Sequence, residues 1–143
     1  MPHFVKTSGS TGLHVLIPLG ARYTHEQSRA MAELLANCVV KQLPEIATVE
    51  RQLEARGGKV YVDYLQNGHG RLLVAPYSVR PVSHACVSMP LNWKQVTSKL
   101  DMFRYTLRTV PELLARQKTD PFGELMTEVA DLNRSLRLLA DVV

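Results

Sequence analysis

Leu13, Val15 and Ile17 alternate with His14 and Leu16, a period of two that predicts a strand over 13–19. The period then lengthens. Met31, Leu34, Leu35, Cys38, Val39 and Leu43 recur at spacings of three and four, which predicts a helix from Thr24 to Leu43 with one core-facing stripe. Thr24 followed by Gln27 is a capping-box signature at its start, and Pro44 stops it. A shorter helix is expected over 48–55, ended by Gly57-Gly58. Lys59–Leu65 and Arg71–Arg80 are strand-like runs on either side of Asn67-Gly68 and Gly70, the pattern of a β-hairpin, with Pro76 marking a bend or an edge. The stretch Pro81–Pro90 reads as irregular apart from an extended piece over 85–88. Asn92 with Gln95, and Thr109 with Glu112, are further capping pairs. Asp120-Pro121 is expected to open a last helix over 122–141, along which Leu125, Val129, Leu132, Leu136 and Leu139 alternate by four and three. The residues ahead of Lys6 read as a short lead-in. Strand, two helices, hairpin and helices in that order define an α/β (α+β) chain, with a small mixed or antiparallel sheet flanked by helices.

Composition narrows this picture. A chain of 143 residues fits a single domain over 1–143, and 45% hydrophobic residues are enough for a packed core, against a disordered chain. No apolar run approaches the roughly 18 residues of a membrane span, and no signal-peptide pattern opens the chain, so a cytoplasmic protein without a membrane partner is expected. Cys38 and Cys86 lack the spacing of a zinc site or a disulfide framework. A net charge of +4 suits a polyanionic partner without specifying one.

Asp63 is the first candidate for chemistry, because a carboxylate mid-strand among Tyr and Val needs a cation, an Arg or several donors. Its plainer role is to fix the hairpin by hydrogen bonding. The run Lys6-Thr7-Ser8-Gly9-Ser10-Thr11-Gly12 offers amides and hydroxyls that could cradle phosphate oxygens. It is no Walker loop, since no Lys-Ser/Thr follows Gly12, and ordinary turn chemistry accounts for it equally well. His14 follows the loop directly and Arg80 follows the second hairpin strand. Each is either a donor to a phosphate or an ordinary structural group.

Taken together these stretches resemble a known family. Lys6–His14, Val60–Asn67 and Val74–Arg80, supported by Val87–Trp93 and Thr106–Pro111, are similar to the polymerase domain of bacterial DNA ligase D, a member of the archaeo-eukaryotic primase superfamily. The resemblance runs to about Phe122 and implies addition of nucleotides to DNA 3′ ends in end joining, with Mn2+ or Mg2+ as cofactor. By motif, Ser8 and His14 resemble triphosphate contacts, and Asp63 the third metal-binding carboxylate and hence the catalytic residue. Gln66 and Arg80 resemble nucleotide-contacting positions, and Arg56 the basic residue of a loop before the acidic strand.

Two departures accompany the resemblance. Thr11 stands where members often carry Lys, and the family's upstream Asp-x-Asp pair is not in this sequence. The expectation is therefore a C-terminal half of such a domain, inactive alone. Its implied partners are DNA ends, NTP or dNTP, a protein carrying the missing half, a ligase module and Ku. The alternatives are a non-catalytic module that binds nucleotide or DNA-end phosphate, and a remnant that self-associates into a homo-oligomer through the last helix.

Overall fold

A computed structural model describes residues 1–140. The chain divides into two compact units, 1–20 with 74–130, and 21–73 with 131 onward.

In the first unit, β1 (Phe4–Thr7) and β2 (Leu13–Leu16) form an antiparallel hairpin with Phe4 opposite Leu16 and Lys6 opposite His14. The far side of β1 pairs antiparallel with the short β5 (Pro90–Leu91), so β1 is central in the order β2-β1-β5. The segment leading into β5 is the hub of this unit. The Thr7 amide donates to Met89 O at 2.9 Å, and the Thr7 hydroxyl donates to Val87 O at 2.9 Å while accepting from the Met89 amide at 2.8 Å. On its other sides the segment bonds to 77–80 and 105–107, through Ser88 N to Ser78 O at 2.9 Å, Arg80 N to Cys86 O at 2.8 Å and Val87 N to Tyr105 O at 2.7 Å. Partners in three directions explain why Cys86, Val87, Ser88, Met89, Pro90 and Leu91 are all buried. Val5, Val87, Met89, Leu91, Tyr105 and Val110 make the apolar core, with Val96, Leu100 and Leu113 packed against it.

The second unit is built on α1 (His25–Gln42). Its capping box forms as expected: Thr24 Oγ1 accepts from the Gln27 amide at 3.2 Å, and Gln27 Oε1 accepts from the Thr24 amide at 2.9 Å. Met31, Ala36 and Cys38 are buried, whereas Val39 and Leu43 at the end of the expected stripe are exposed. Two-residue strands β3 (Ala47–Thr48) and β4 (Val60–Tyr61) pair in parallel.

Three expected elements are corrected. Residues 48–55 do not form a helix; β3 is followed by a 3₁₀ turn over Leu53–Arg56, closed by Gly57 at φ 58°. The hairpin over 59–80 does not form either. A two-residue hairpin turn on Asn67-Gly68 needs positive φ at both positions, but Gly68 sits at −100° and Asn67 ends a 3₁₀ turn over Leu65–Asn67. The Val60 and Val62 amides instead bond upstream to Ile46 O and Thr48 O, each at 2.8 Å. The last helix is shorter than its pattern. Asp120 Oδ1 accepts from the Phe122 amide at 2.9 Å, but the chain then turns, and the Ala130 amide is drawn to Pro18 O at 2.7 Å. The helices after the core are α2 (Val110–Ala115) and α3 (Leu132–Ala140), the latter capped by Asp131, whose Oδ1 accepts from the Arg134 amide at 3.0 Å. Asp141, the end of the expected helix, lies outside the described residues. Thr109 does not cap α2 by its side chain; its hydroxyl donates to Arg104 O. No helix among the described residues is long and apolar enough to cross a membrane.

Candidate functional site

The loop between β1 and β2 is organised by Ser8. Its hydroxyl oxygen accepts from the amides of Ser10 and Gly12, both at 3.1 Å, and its own amide donates to Gly12 O at 2.8 Å. With both lone pairs occupied, the Ser8 hydroxyl proton remains to be donated. The amides of Gly9 and Thr11 find no protein acceptor among the described residues. Gly9 is obligatory in this arrangement. Its φ is +71°, and a Cβ there would stand 2.5 Å from Arg80 Cγ and 3.2 Å from the Ser88 amide nitrogen. The Arg80 side chain therefore lies against the loop, and its backbone is anchored by the bond from its amide to Cys86 O.

Beneath the loop is a charged group that the sequence pattern passes over. Lys6 is fully buried in β1, with its Nζ 3.0 Å from His14 Nδ1 and donating at 2.6 Å to Ser88 Oγ. The Ser88 hydroxyl in turn donates to Thr7 O at 2.8 Å. Burial and then the Arg80 guanidinium push the Lys6 ammonium down from its usual 10.5 to about 8. His14 and Arg80 thus share one hydrogen-bonded and electrostatic neighbourhood with Lys6 and Ser88, which sequence reasoning did not single out, while Ser8 organises the adjoining loop on which the Arg80 side chain packs at Gly9. The signal was present in the register of a hairpin around Ser8–Gly12, which sets Lys6 opposite His14. It was obscured because a lysine in a strand normally reads as an outward-facing residue.

Arg56, Asp63 and Gln66 belong to the second unit. Arg56 donates to Glu50 O at 3.0 Å and Arg51 O at 2.9 Å, and its guanidinium lies 4.3 Å from the centre of the Tyr61 ring. The Tyr61 hydroxyl donates to Asp63 Oδ1 at 3.3 Å, and the tyrosine's pKa is raised by burial and by that carboxylate. Asp63 is exposed and lies two residues past β4, where its Oδ1 also accepts from the Leu65 amide at 2.9 Å. The expected buried mid-strand carboxylate is in fact the exposed cap of a turn, because β4 ends at Tyr61. Gln66 is tied by its Nε2 to Leu72 O at 2.6 Å.

A divalent cation of the Mg2+ type demands octahedral oxygen coordination, and a two-metal centre needs several carboxylates. Among the described residues no three His, Cys, Asp or Glu side chains are grouped to hold a metal ion. Asp63 has one oxygen engaged in the turn and the other without a donor among the described residues, so it offers one ligand. These residues do not make a metal centre by themselves.

The chain is of the primase-polymerase type. Residues 1–122 match the family described as LigD, primase-polymerase domain, and the chain belongs to that family. It is similar to the Bacillus subtilis (strain 168) bifunctional non-homologous end joining protein LigD, at 35% identity over 80% of this chain and 19% of that protein. It is also 33% identical to the Pseudomonas aeruginosa multifunctional non-homologous end joining protein LigD, over 78% of this chain and 13% of that one. Among solved structures, the polymerase domain from Mycobacterium tuberculosis ligase D in complex with DNA aligns with a TM-score of 0.79 at 29% identity, covering 90% of this chain and 44% of that domain. The resemblance carried by Lys6–His14, Val60–Asn67 and Val74–Arg80 is borne out. The chain spans less than a fifth of the length of these two curated relatives and under half of that solved domain.

Proposed function

We propose that this chain is the nucleotide-triphosphate-gripping part of an end-joining polymerase that acts on DNA ends. The observation that carries this reading is the convergence, in one unit, of the Ser8–Gly12 loop with the Arg80 side chain packed on Gly9, next to the Lys6–His14 pair at the base of the same hairpin. A triphosphate presents dense negative charge, and this neighbourhood offers a hydroxyl proton, two uncommitted amides, a guanidinium and an imidazole. Arg80 neutralises charge, the loop amides and Ser8 orient the phosphates, and His14 donates to an oxygen. Arg56 and Gln66 are nucleotide-contacting residues in this reading, on the strength of the family resemblance alone. Asp63 would supply one ligand to a divalent metal, Mn2+ or Mg2+, whose further carboxylates are not grouped around it among the described residues. Bound there, that metal would supply charge stabilisation for nucleotidyl transfer. The net charge of +4 favours an acidic partner such as a DNA end.

The test is calorimetric titration of the purified chain with ATP in the absence of divalent metal. Binding is expected, and Arg80→Met weakens it by about tenfold or more, the usual worth of a charge-assisted contact. Equal affinity for the native chain and the Arg80 variant overturns the reading. In a parallel assay of Mn2+-dependent nucleotide addition to a primed DNA end, the chain alone is expected to add nothing. Addition that disappears in Asp63→Ala would instead mean that this chain assembles a complete metal centre.

A further inference from the structure

Lys6 has no exposed surface, so it cannot itself touch a ligand. Its charge must act through what it touches, and it touches two groups. Ser88 Oγ gives its proton to Thr7 O at 2.8 Å and therefore receives from Lys6 Nζ at 2.6 Å. The other partner is His14 Nδ1 at 3.0 Å, across the β1–β2 register that sets the two residues opposite each other.

We infer that Lys6 is a positioning residue for His14: its amino group donates to Nδ1, so the imidazole is held in the tautomer that carries its proton on Nε2. The reverse bond, from Nδ1–H to a lysine lone pair, needs the uncharged amine, whereas Lys6 keeps its proton up to about pH 8. The Ser88–Thr7 bond anchors the lysine from the far side, which fixes the ring's orientation as well as its tautomer. In the metal-site analogy, a histidine's working nitrogen is set by the bond its other nitrogen makes. Here a buried cation sets it, for a phosphate instead of a metal. The inference rests on the proposed role of His14 as a phosphate donor.

The experiment is a long-range 15N–1H correlation spectrum of the native chain at pH 7, with the His14 signals assigned by their loss in His14→Gln. An unprotonated Nδ1 and a protonated Nε2 are expected. In Lys6→Met, which keeps the length of the side chain but removes its donor, the ring is expected to become a mixture of tautomers and ATP affinity to fall about tenfold. The melting temperature should hold or rise, because a buried charge has been replaced by an apolar group. A protonated Nδ1 in the native chain overturns the inference, as does an unchanged tautomer in the variant. Should Lys6→Met fail to fold, the native spectrum alone decides. If both spectra come out as expected but the native chain binds no ATP, the positioning of the ring stands and the nucleotide reading falls.

Discussion

Gly9 shows how tightly single residues constrain the loop. Replacing it with Ala asks an L-residue to hold φ +71° and drives the new methyl into Arg80 Cγ. The left-handed backbone alone costs about 1–2 kcal/mol. Because the atom struck is partway along a flexible side chain, Arg80 swings away rather than the backbone. Gly9→Ala should therefore lower the urea midpoint by a corresponding amount and also weaken ATP binding as Arg80→Met does. Lys6 makes a second prediction, in pH. Below pH 8 both folded and unfolded chains hold its proton, and burial of the charge counts fully against folding. Between 8 and 10.5 only the unfolded chain keeps it, so stability rises with pH, by up to a few kcal/mol. Above about pH 10 Tyr61, Tyr77 and Tyr105, whose pKa values burial raises, oppose that rise. Denaturation midpoints measured from pH 7 to 10 should climb in the native chain and stay flat in Lys6→Met. At this scale the sequence disclosed Ser8, His14 and Arg80 through their neighbours in the chain. It hid Lys6 and Ser88, because hydrophobicity ranks a lysine as solvent-facing and the contact that reverses this spans 82 positions.

Elements followed the sequence where their cause was local. α1 begins at its capping pair because Thr24 and Gln27 satisfy each other's amides within one turn. Thr24→Ala should cost about 1 kcal/mol, read as a lower urea midpoint at unchanged slope. Asn92 with Gln95 likewise starts a short 3₁₀ turn over Trp93–Gln95. Where the cause was distant, pattern misled. The two runs expected to form a hairpin over 59–80 were joined by Asn-Gly, yet the amides of 60 and 62 found their acceptors upstream at Ile46 and Thr48, and residues 74–80 belong to the other unit. The repeat over 122–141 was broken by the bond from the Ala130 amide to Pro18 O, which no spacing of leucines encodes. β1 escaped notice for the opposite reason. Phe-Val-Lys-Thr carries no alternation of apolar and polar side chains, and its two polar residues are buried and bonded instead of facing solvent.

For the whole molecule, the proposed division of labour separates phosphate grip from metal ligation. Asp63→Asn should leave metal-free ATP affinity unchanged, because the grip resides in the first unit, while abolishing any added affinity that Mn2+ confers. Calorimetry with and without Mn2+ reads both quantities from the same sample. The central position of β1 has a consequence in time as well as space. Its amides are bonded towards β2 on one side and β5 or Met89 on the other, whereas β2 is an edge strand with one side unpaired among the described residues. In hydrogen–deuterium exchange, protection should be deepest at Val5–Thr7 and should decay outward through β2 to the loop. The buried lysine then sits in the last part of the unit to open, whereas the ring it holds rides on β2, so fraying of the edge parts the pair from the His14 side first.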